Sequence, residues 1–344
     1  MTHFAGLDIS LRSINVCVID DQGDLVAEGR CGAEAADLVV FLDELDLDIT
    51  TVGLEAGMLT QYLTYGLQFA GYDVHCMESR QVKAALSAMR NKTDKHDARG
   101  IAQLLRSGWY SRVHIKSVAS HHVRALLASR KAVLNKCIDL EQEIRGLFKV
   151  FGVKLPSKLG HGAFDTQVRP LIEADEVLSQ SLLPVLDVRL ELYRTYRELD
   201  NRTRHLAEQD PVCQRFMTAP GVGFVTALTY KSGVDDPMRF KRSRTVGAHF
   251  GLTSRRHQSG EVDFDGHISR CGDAAVRTAL YTAANALLTR SSKWSSLKAW
   301  GMKVAKKRGH KKAVIAVARK LAVILHRMWI DDTRFRWGTE AARS

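Results

Sequence analysis

Four carboxylates in the first hundred residues have the types and positions needed to hold a hard metal ion. Asp8 lies near the end of an apolar run in GLDIS, and Glu55 closes a later run in VGLEAG. Asp94 and Asp97 lie three apart at the start of a helical pattern in NKTDKHDAR. At that spacing two side chains share one helix face, with Cβ atoms about 5–6 Å apart. A strand-borne Asp, a strand-end Glu and a helical Asp pair can converge at one edge of an α/β sheet, where such folds place their sites. Carboxylates gathered there repel one another unless cations neutralise them. Oxygen ligands of this kind suit Mg²⁺ or Mn²⁺. Two such ions about 4 Å apart would stabilise both the entering and the leaving oxygen of a phosphoryl transfer. Singly, each acid also has a plainer role: a turn residue at Asp8, a surface carboxylate at Glu55, a charge favoured by the helix dipole at Asp94.

A second constellation spans residues 251–281, GLTSRRHQSGEVDFDGHISRCGDAAVRTALY. Ser259, followed by Gly260, sits in a segment with Arg255, Arg256 and His257, and Arg270 and Arg277 come after it. A hydroxyl among guanidinium groups can attack phosphorus when cations stabilise the phosphoryl oxygens. The residues alone give a basic loop in which Ser259 is a turn residue and the arginines are phosphate contacts. In Ala219-Pro220-Gly221-Val222-Gly223, between two helical stretches, Gly221 and Gly223 would let backbone N–H groups approach a phosphate, as in a helix-hairpin-helix element. A simple helix–helix connection reads the same way.

Charge separates the two ends of the 344-residue chain, whose net charge is +12. Residues 1–60 hold twelve acids against Arg12 and Arg30, whereas from residue 211 onward 25 Lys and Arg face 9 Asp and Glu. Residues 301–320 contain eight bases, among them Lys306, Lys307, Lys311 and Lys312, and no acid. Such a block favours a polyanion, because each phosphate neutralised releases a condensed counterion; composition does not choose between DNA and RNA. Six scattered cysteines without a CxxC pair point to reduced thiols in a cytoplasm and away from a structural zinc site. No apolar run approaches the roughly 20 residues of a membrane helix, and the N-terminus does not read as a secretion signal. A cytoplasmic protein, nucleoid-associated when bound to DNA, and with no membrane partner, is expected.

The elements that must position these residues follow from periodicity. Phe4–Ile9, Ile14–Ile19 and Leu25–Gly29 read as strands, the last two joined by a turn over Asp20–Asp24; Thr51–Glu55 and Asp73–Met77 are further strands. Helical spacing marks Ala35–Leu45, Leu59–Ala70 and Asp94–Leu105. The result is a mixed α/β sheet over residues 1–110. From 111 to 208, two amphipathic runs flank a loop at Gly152–Gly162, which suggests an antiparallel coiled-coil arm suited to a protein interface. Residues 209–344 form a mainly helical region, with irregular or hairpin structure at Gly251–Gly272 and helices at Ala274–Leu288, Trp294–Lys306 and Lys312–Met328.

These motifs, in this order, resemble the insertion-sequence one-ten transposases, also described as bridge-RNA-guided recombinases. NKTDKHDAR and the stretch from GLTSRRHQSG to ISRCGD carry the resemblance most specifically. It implies an RNase H-like domain, similar to a Holliday-junction (RuvC-like) resolvase, whose Asp-Glu-Asp-Asp tetrad falls on Asp8, Glu55, Asp94 and Asp97. It implies a C-terminal transposase domain whose catalytic serine falls on Ser259. Two Mg²⁺ (or Mn²⁺) ions would then sit on the acids while Ser259 attacks a DNA phosphate to form a transient phosphoserine link. The implied partners are donor and target DNA, a noncoding guide (bridge) RNA that pairs with both, and further copies of the chain in a homo-oligomer, dimer or tetramer. A metal-dependent junction endonuclease using water, and a nucleic-acid-binding accessory protein without chemistry, are the alternatives. The family's lysine soon after the first Asp is Arg12 here, its Gly-Thr after the Glu is replaced in EAGMLT, and Ser254 stands where a proline is common.

Overall fold

A computed structural model describes residues 2–87, 93–260 and 262–338. The chain divides into two compact units, Met1–Lys116 and Ser117–Ser344.

In the first unit, β1 (His3–Ile9), β2 (Ser13–Ile19), β3 (Leu25–Gly32), β4 (Ile49–Glu55) and β5 (Val74–Met77) form one sheet in the order β3-β2-β1-β4-β5. The β1–β2 and β2–β3 pairs are antiparallel, while β1–β4 and β4–β5 are parallel. This mixed sheet with its helices agrees with the RNase H-like α/β domain expected. Strand β2, SINVCVI, is buried along its whole length, as a strand covered on both faces must be. One face, through Leu7 and Leu54, packs on Leu38 and Leu42 of α1 (Ala35–Asp43) and on Leu63 and Leu67 of α2 (Thr60–Phe69). A short helix, α3 (Ser79–Leu86), was not anticipated from the sequence; only Val82 of it is buried, so it has almost no apolar stripe to read.

The opposite face is covered by α4 (Asp94–Ser107). Thr93 caps it by accepting from the His96 N–H, and Gly108, at φ 68°, ends it. Where α4 crosses β1, a Cβ on Gly6 would lie 2.3 Å from both the Ala102 nitrogen and the Ala98 oxygen. Helix and strand backbones therefore touch, which only glycine at 6 and alanine on the helix allow.

In the second unit, α5 (Val118–Val150) and α7 (Glu176–Gln209) run antiparallel. Arg130 donates to Asp200 at 2.7 Å and, further along α5, Glu141 accepts from Arg189 at 2.9 Å, so partners on α7 step backwards as α5 advances. Between them the sequence reading left out α6 (Phe164–Glu173), which buries Phe164, Val168 and Ile172 against the two long helices despite Pro170. After α7 come α8 (Pro211–Met217), α9 (Phe224–Val234), α10 (Val246–His249), a hairpin of β6 (Ser254–Ser259) and β7 (Val262–Ile268), then α11 (Ala274–Thr289), α12 (Ser296–Arg308) and α13 (His310–Ile330). Their core gathers Phe216, Tyr230, Phe250, Leu280 and Leu321. Among the described residues no helix is long and apolar enough to cross a membrane.

Candidate active site

Asp8 and Glu55 line one cleft of about 310 Å³ at the ends of β1 and β4. Leu7 lies opposite Leu54 in the parallel ladder, so the two acids occupy matching positions one residue further on. Side chains alternate along a strand. Leu7 and Leu54 point into the α1–α2 core, so Asp8 and Glu55 fall on the face of Gly6 and Gly53, the face that α4 covers. The loops below them are pinned by short polar contacts. The Thr60 hydroxyl accepts from the Gly57 N–H at 2.6 Å and donates to the Glu55 carbonyl at 3.2 Å. The Ser10 hydroxyl donates to the Ser13 carbonyl at 2.7 Å, and that of Ser79 to the Ala56 carbonyl at 2.7 Å. Thr60 and Ser10 are site residues the sequence reading passed over; their signal was a hydroxyl a few positions beyond each acid.

The direction of α4 brings the other two acids to the same sheet edge. Its end lies near the start of β1: Arg106 donates to the Asp21 carbonyl at 3.1 Å, in the turn after Ile19, and Ile19 pairs with Phe4. Its beginning, with exposed Asp94 and half-buried Asp97 in the first turn, therefore lies toward the Asp8 end of β1. Neither of the two lines the cleft. Among the described residues no three His, Cys, Asp or Glu side chains are close enough together to hold a metal ion. The pair Asp8 and Glu55 still suits Mg²⁺, which keeps several waters and is commonly bound by one or two carboxylates together with substrate phosphates. Nearby thiols are inert: burial, with the Glu55 charge adding to it, pushes Cys76 up to about 12, and burial against the opposing pull of Arg99 brings Cys17 to about 11.

Ser259 is exposed at the end of β6, beside Gly260 at φ +57°. The flanking arginines divide into two kinds. Arg256 grips Asp263 across the hairpin at 2.8 Å and holds that carboxyl below its usual range. Arg255 donates to the Ser269 carbonyl at 3.2 Å, and Arg270 is exposed at φ 56°. Arg277 instead donates to the carbonyls of Phe250 and Cys271, at 3.1 and 2.8 Å, and so braces the base of the hairpin. The turn at 219–223 does join two helices, α8 and α9, but Gly221 is explained by packing. A Cβ there would stand 2.2 Å from the Ala283 oxygen of α11, whereas Gly223 faces open space. Lys306 and Lys307, in the last turn of α12, and Lys311 and Lys312, in the first turn of α13, are all exposed around Gly309. Two lysines at a helix N-terminus oppose the helix dipole, a cost that an anionic ligand would relieve.

The profile of the Transposase IS116/IS110/IS902 family matches residues 213–299, and a DEDD transposase profile of the IS110 type matches residues 5–152. The chain is 29% identical over 344 residues to a transposase for insertion sequence element IS1111A from Coxiella burnetii, covering 97% of this chain and 91% of the relative. It is 25% identical to a probable family 20 transposase of Pseudomonas aeruginosa, over 97% and 98% of the two chains. A solved structure of T. thermophilus RuvC in complex with Holliday junction substrate aligns with 33% of this chain and 100% of its own, at 14% identity and a TM-score of 0.27.

Proposed function

The chain belongs to the IS110 family of insertion-sequence transposases, and on that footing we propose that it cuts and rejoins DNA through a transient phosphoserine link at Ser259. The observation that carries the reading is the convergence of Asp8 and Glu55 in one cleft at matching positions of a parallel strand pair, with the acidic first turn of α4 at the same edge. Asp8, Glu55, Asp94 and Asp97 would hold the Mg²⁺ or Mn²⁺ ions. A divalent ion there supplies neutralising charge to phosphoryl oxygens.

The serine's part rests on the family resemblance, and its exposure on a basic hairpin supports it. The Ser259 Oγ attacks a phosphorus of the DNA backbone, an Oγ–P bond forms and one P–O bond of the strand breaks. The departing oxygen takes up a proton and the serine loses its own. One phosphate ester replaces another, so the bond energy is retained until a second strand's hydroxyl displaces the serine. Arg255 and Arg270 lie at the base of the hairpin whose tip carries Ser259, and would contact backbone phosphates away from the reacting one. Donor and target DNA are the substrates, a noncoding RNA selects them by pairing, and the protein works as a homo-oligomer, a dimer or tetramer built through the helical arm. The excess of C-terminal bases supports a polyanionic partner without choosing the RNA.

Covalent capture tests the reading. Protein, Mg²⁺, donor and target DNA, and RNA transcribed from the flanking region are mixed, denatured and separated on a gel. A DNA-linked band that needs Mg²⁺ and disappears in Ser259→Ala is expected. Cleavage with no linked band, unharmed by Ser259→Ala, would mean a nuclease that uses water.

A further inference from the structure

We propose that two neighbouring cavities beside the end of α13, lined by none of the residues of the carboxylate cleft or the Ser259 hairpin, form a cradle for successive phosphates of a nucleic-acid strand. One cavity, of about 440 Å³, is walled by Arg215 of α8 and by Asp332 and Arg334. The other, of about 260 Å³, is walled by Arg327 and Asp331 and by Arg334 and Arg336. Arg334 belongs to both, so the cavities adjoin. Four arginines and two aspartates line them, so the cradle carries net positive charge.

The arginines are not used up in holding the fold. Arg215 forms an ion pair through Nη1 with Asp332 at 2.6 Å, but its Nε is buried with no partner among the described residues, so the guanidinium is not fully satisfied by the fold. Asp332 itself is three-quarters exposed and sits at φ 51°, a left-handed backbone that a non-glycine residue adopts at a cost. Neither Arg334 nor Arg336 forms an ion pair with any described residue. Arg327 is favoured in the last turn of α13 by the helix dipole alone, but Arg334 and Arg336 lie beyond the helix and gain nothing from it. A guanidinium fork matches phosphate oxygens in two-point contact. Two cavities sharing one arginine therefore suit two linked phosphates better than a single free anion. Asp332 occupies the place of the first phosphate and would be displaced by it.

The shared chemistry is the phosphodiester, which DNA and RNA both present. The test measures binding of full-length protein to fluorescent 20-residue oligonucleotides, as duplex DNA, single-stranded DNA and single-stranded RNA, in EDTA over a range of salt. Arg334→Gln is expected to weaken binding about three- to tenfold and to lower the slope of log affinity against log salt by about 0.7–0.9. Loss confined to the DNA probes or to the RNA probe supports the cradle and names its occupant. Asp332→Asn should tighten binding severalfold, because it removes the competing carboxylate. Unchanged affinity and slope for all three probes in Arg334→Gln, or weaker binding in Asp332→Asn, overturns the proposal. Binding is read without metal or strand cleavage, so failure here leaves the phosphoserine reading standing, and failure of covalent capture leaves this one standing.

Discussion

Replacing Gly6 by alanine should disable the carboxylate site from beneath while leaving every acid in place. The added Cβ would stand 2.3 Å from two backbone atoms of α4, where ordinary contact begins at 3.4 Å. Neither atom belongs to a side chain that can rotate away, so α4 must move off β1 by about 1 Å or the strand must bend by as much. Overpacking of this kind costs about 1–3 kcal/mol, and a backbone clash belongs at the upper end. For a unit of this size that is a fall in Tm of roughly 4–12 °C. Asp94 and Asp97 ride on the displaced helix, and a shift of about 1 Å in a catalytic array can cost about a hundredfold in rate. Thermal melting and Mg²⁺-dependent strand cleavage, measured at a temperature where the variant is folded, would separate the two effects. Gly146→Ala, in open space on α5, serves as the control. A Gly6→Ala protein with unchanged Tm and unchanged cleavage would refute the claim that α4 is seated on β1 through this contact and that its seating sets the acids.

Two further outcomes concern the second unit. Glu141→Ala should destabilise it by about 3–5 kcal/mol, read from urea unfolding, because fully buried Arg189 loses its carboxylate; the Glu141→Leu/Arg189→Met double variant should recover most of the loss, and a double variant no more stable than the single one would argue against the stranded charge. Asp273 caps α11 and pairs with Arg124 at 2.5 Å; burial alone would raise its carboxyl, but Arg124 and the Ala275 and Val276 N–H groups outweigh that and hold it below 3.8. Its contribution is therefore whole above its unfolded value and lost as pH falls through the folded one. Asp273→Asn should be less stable than the parent at pH 7, with the gap narrowing as pH is lowered below the usual carboxylate range, and a gap that does not change with pH would contradict the assignment.

Much of the first unit was legible because its strands alternate or run apolar and its acids stand at their ends. Asp8 and Glu55 could be placed at one edge from sequence, since parallel strands carry their C-terminal residues to the same side. What could not be read was the third dimension of that edge, namely that α4 brings Asp94 and Asp97 toward the cleft without lining it. Helix α6 is hard to read from sequence: Pro170 interrupts it, although Phe164, Val168 and Ile172 recur every four residues and bury against α5 and α7. From sequence Gly221 and Arg277 read as phosphate contacts because their partners, the α11 backbone and the Phe250 and Cys271 carbonyls, lie 6 to 66 positions away. Arg189 is the extreme case: a charged residue on a polar-looking helix, buried only because Glu141, the His161 carbonyl and the rings of Phe164 and Tyr193 close around it.

That buried arginine also decides how the α5–α7 hairpin can transmit force. Sliding one helix past the other by a single turn, about 5.4 Å, would carry Arg189 away from Glu141 and leave two unscreened charges in an apolar setting. Gliding is thus blocked by the pair. The two helices are therefore locked in register at this point, and any displacement of one must carry the other with it.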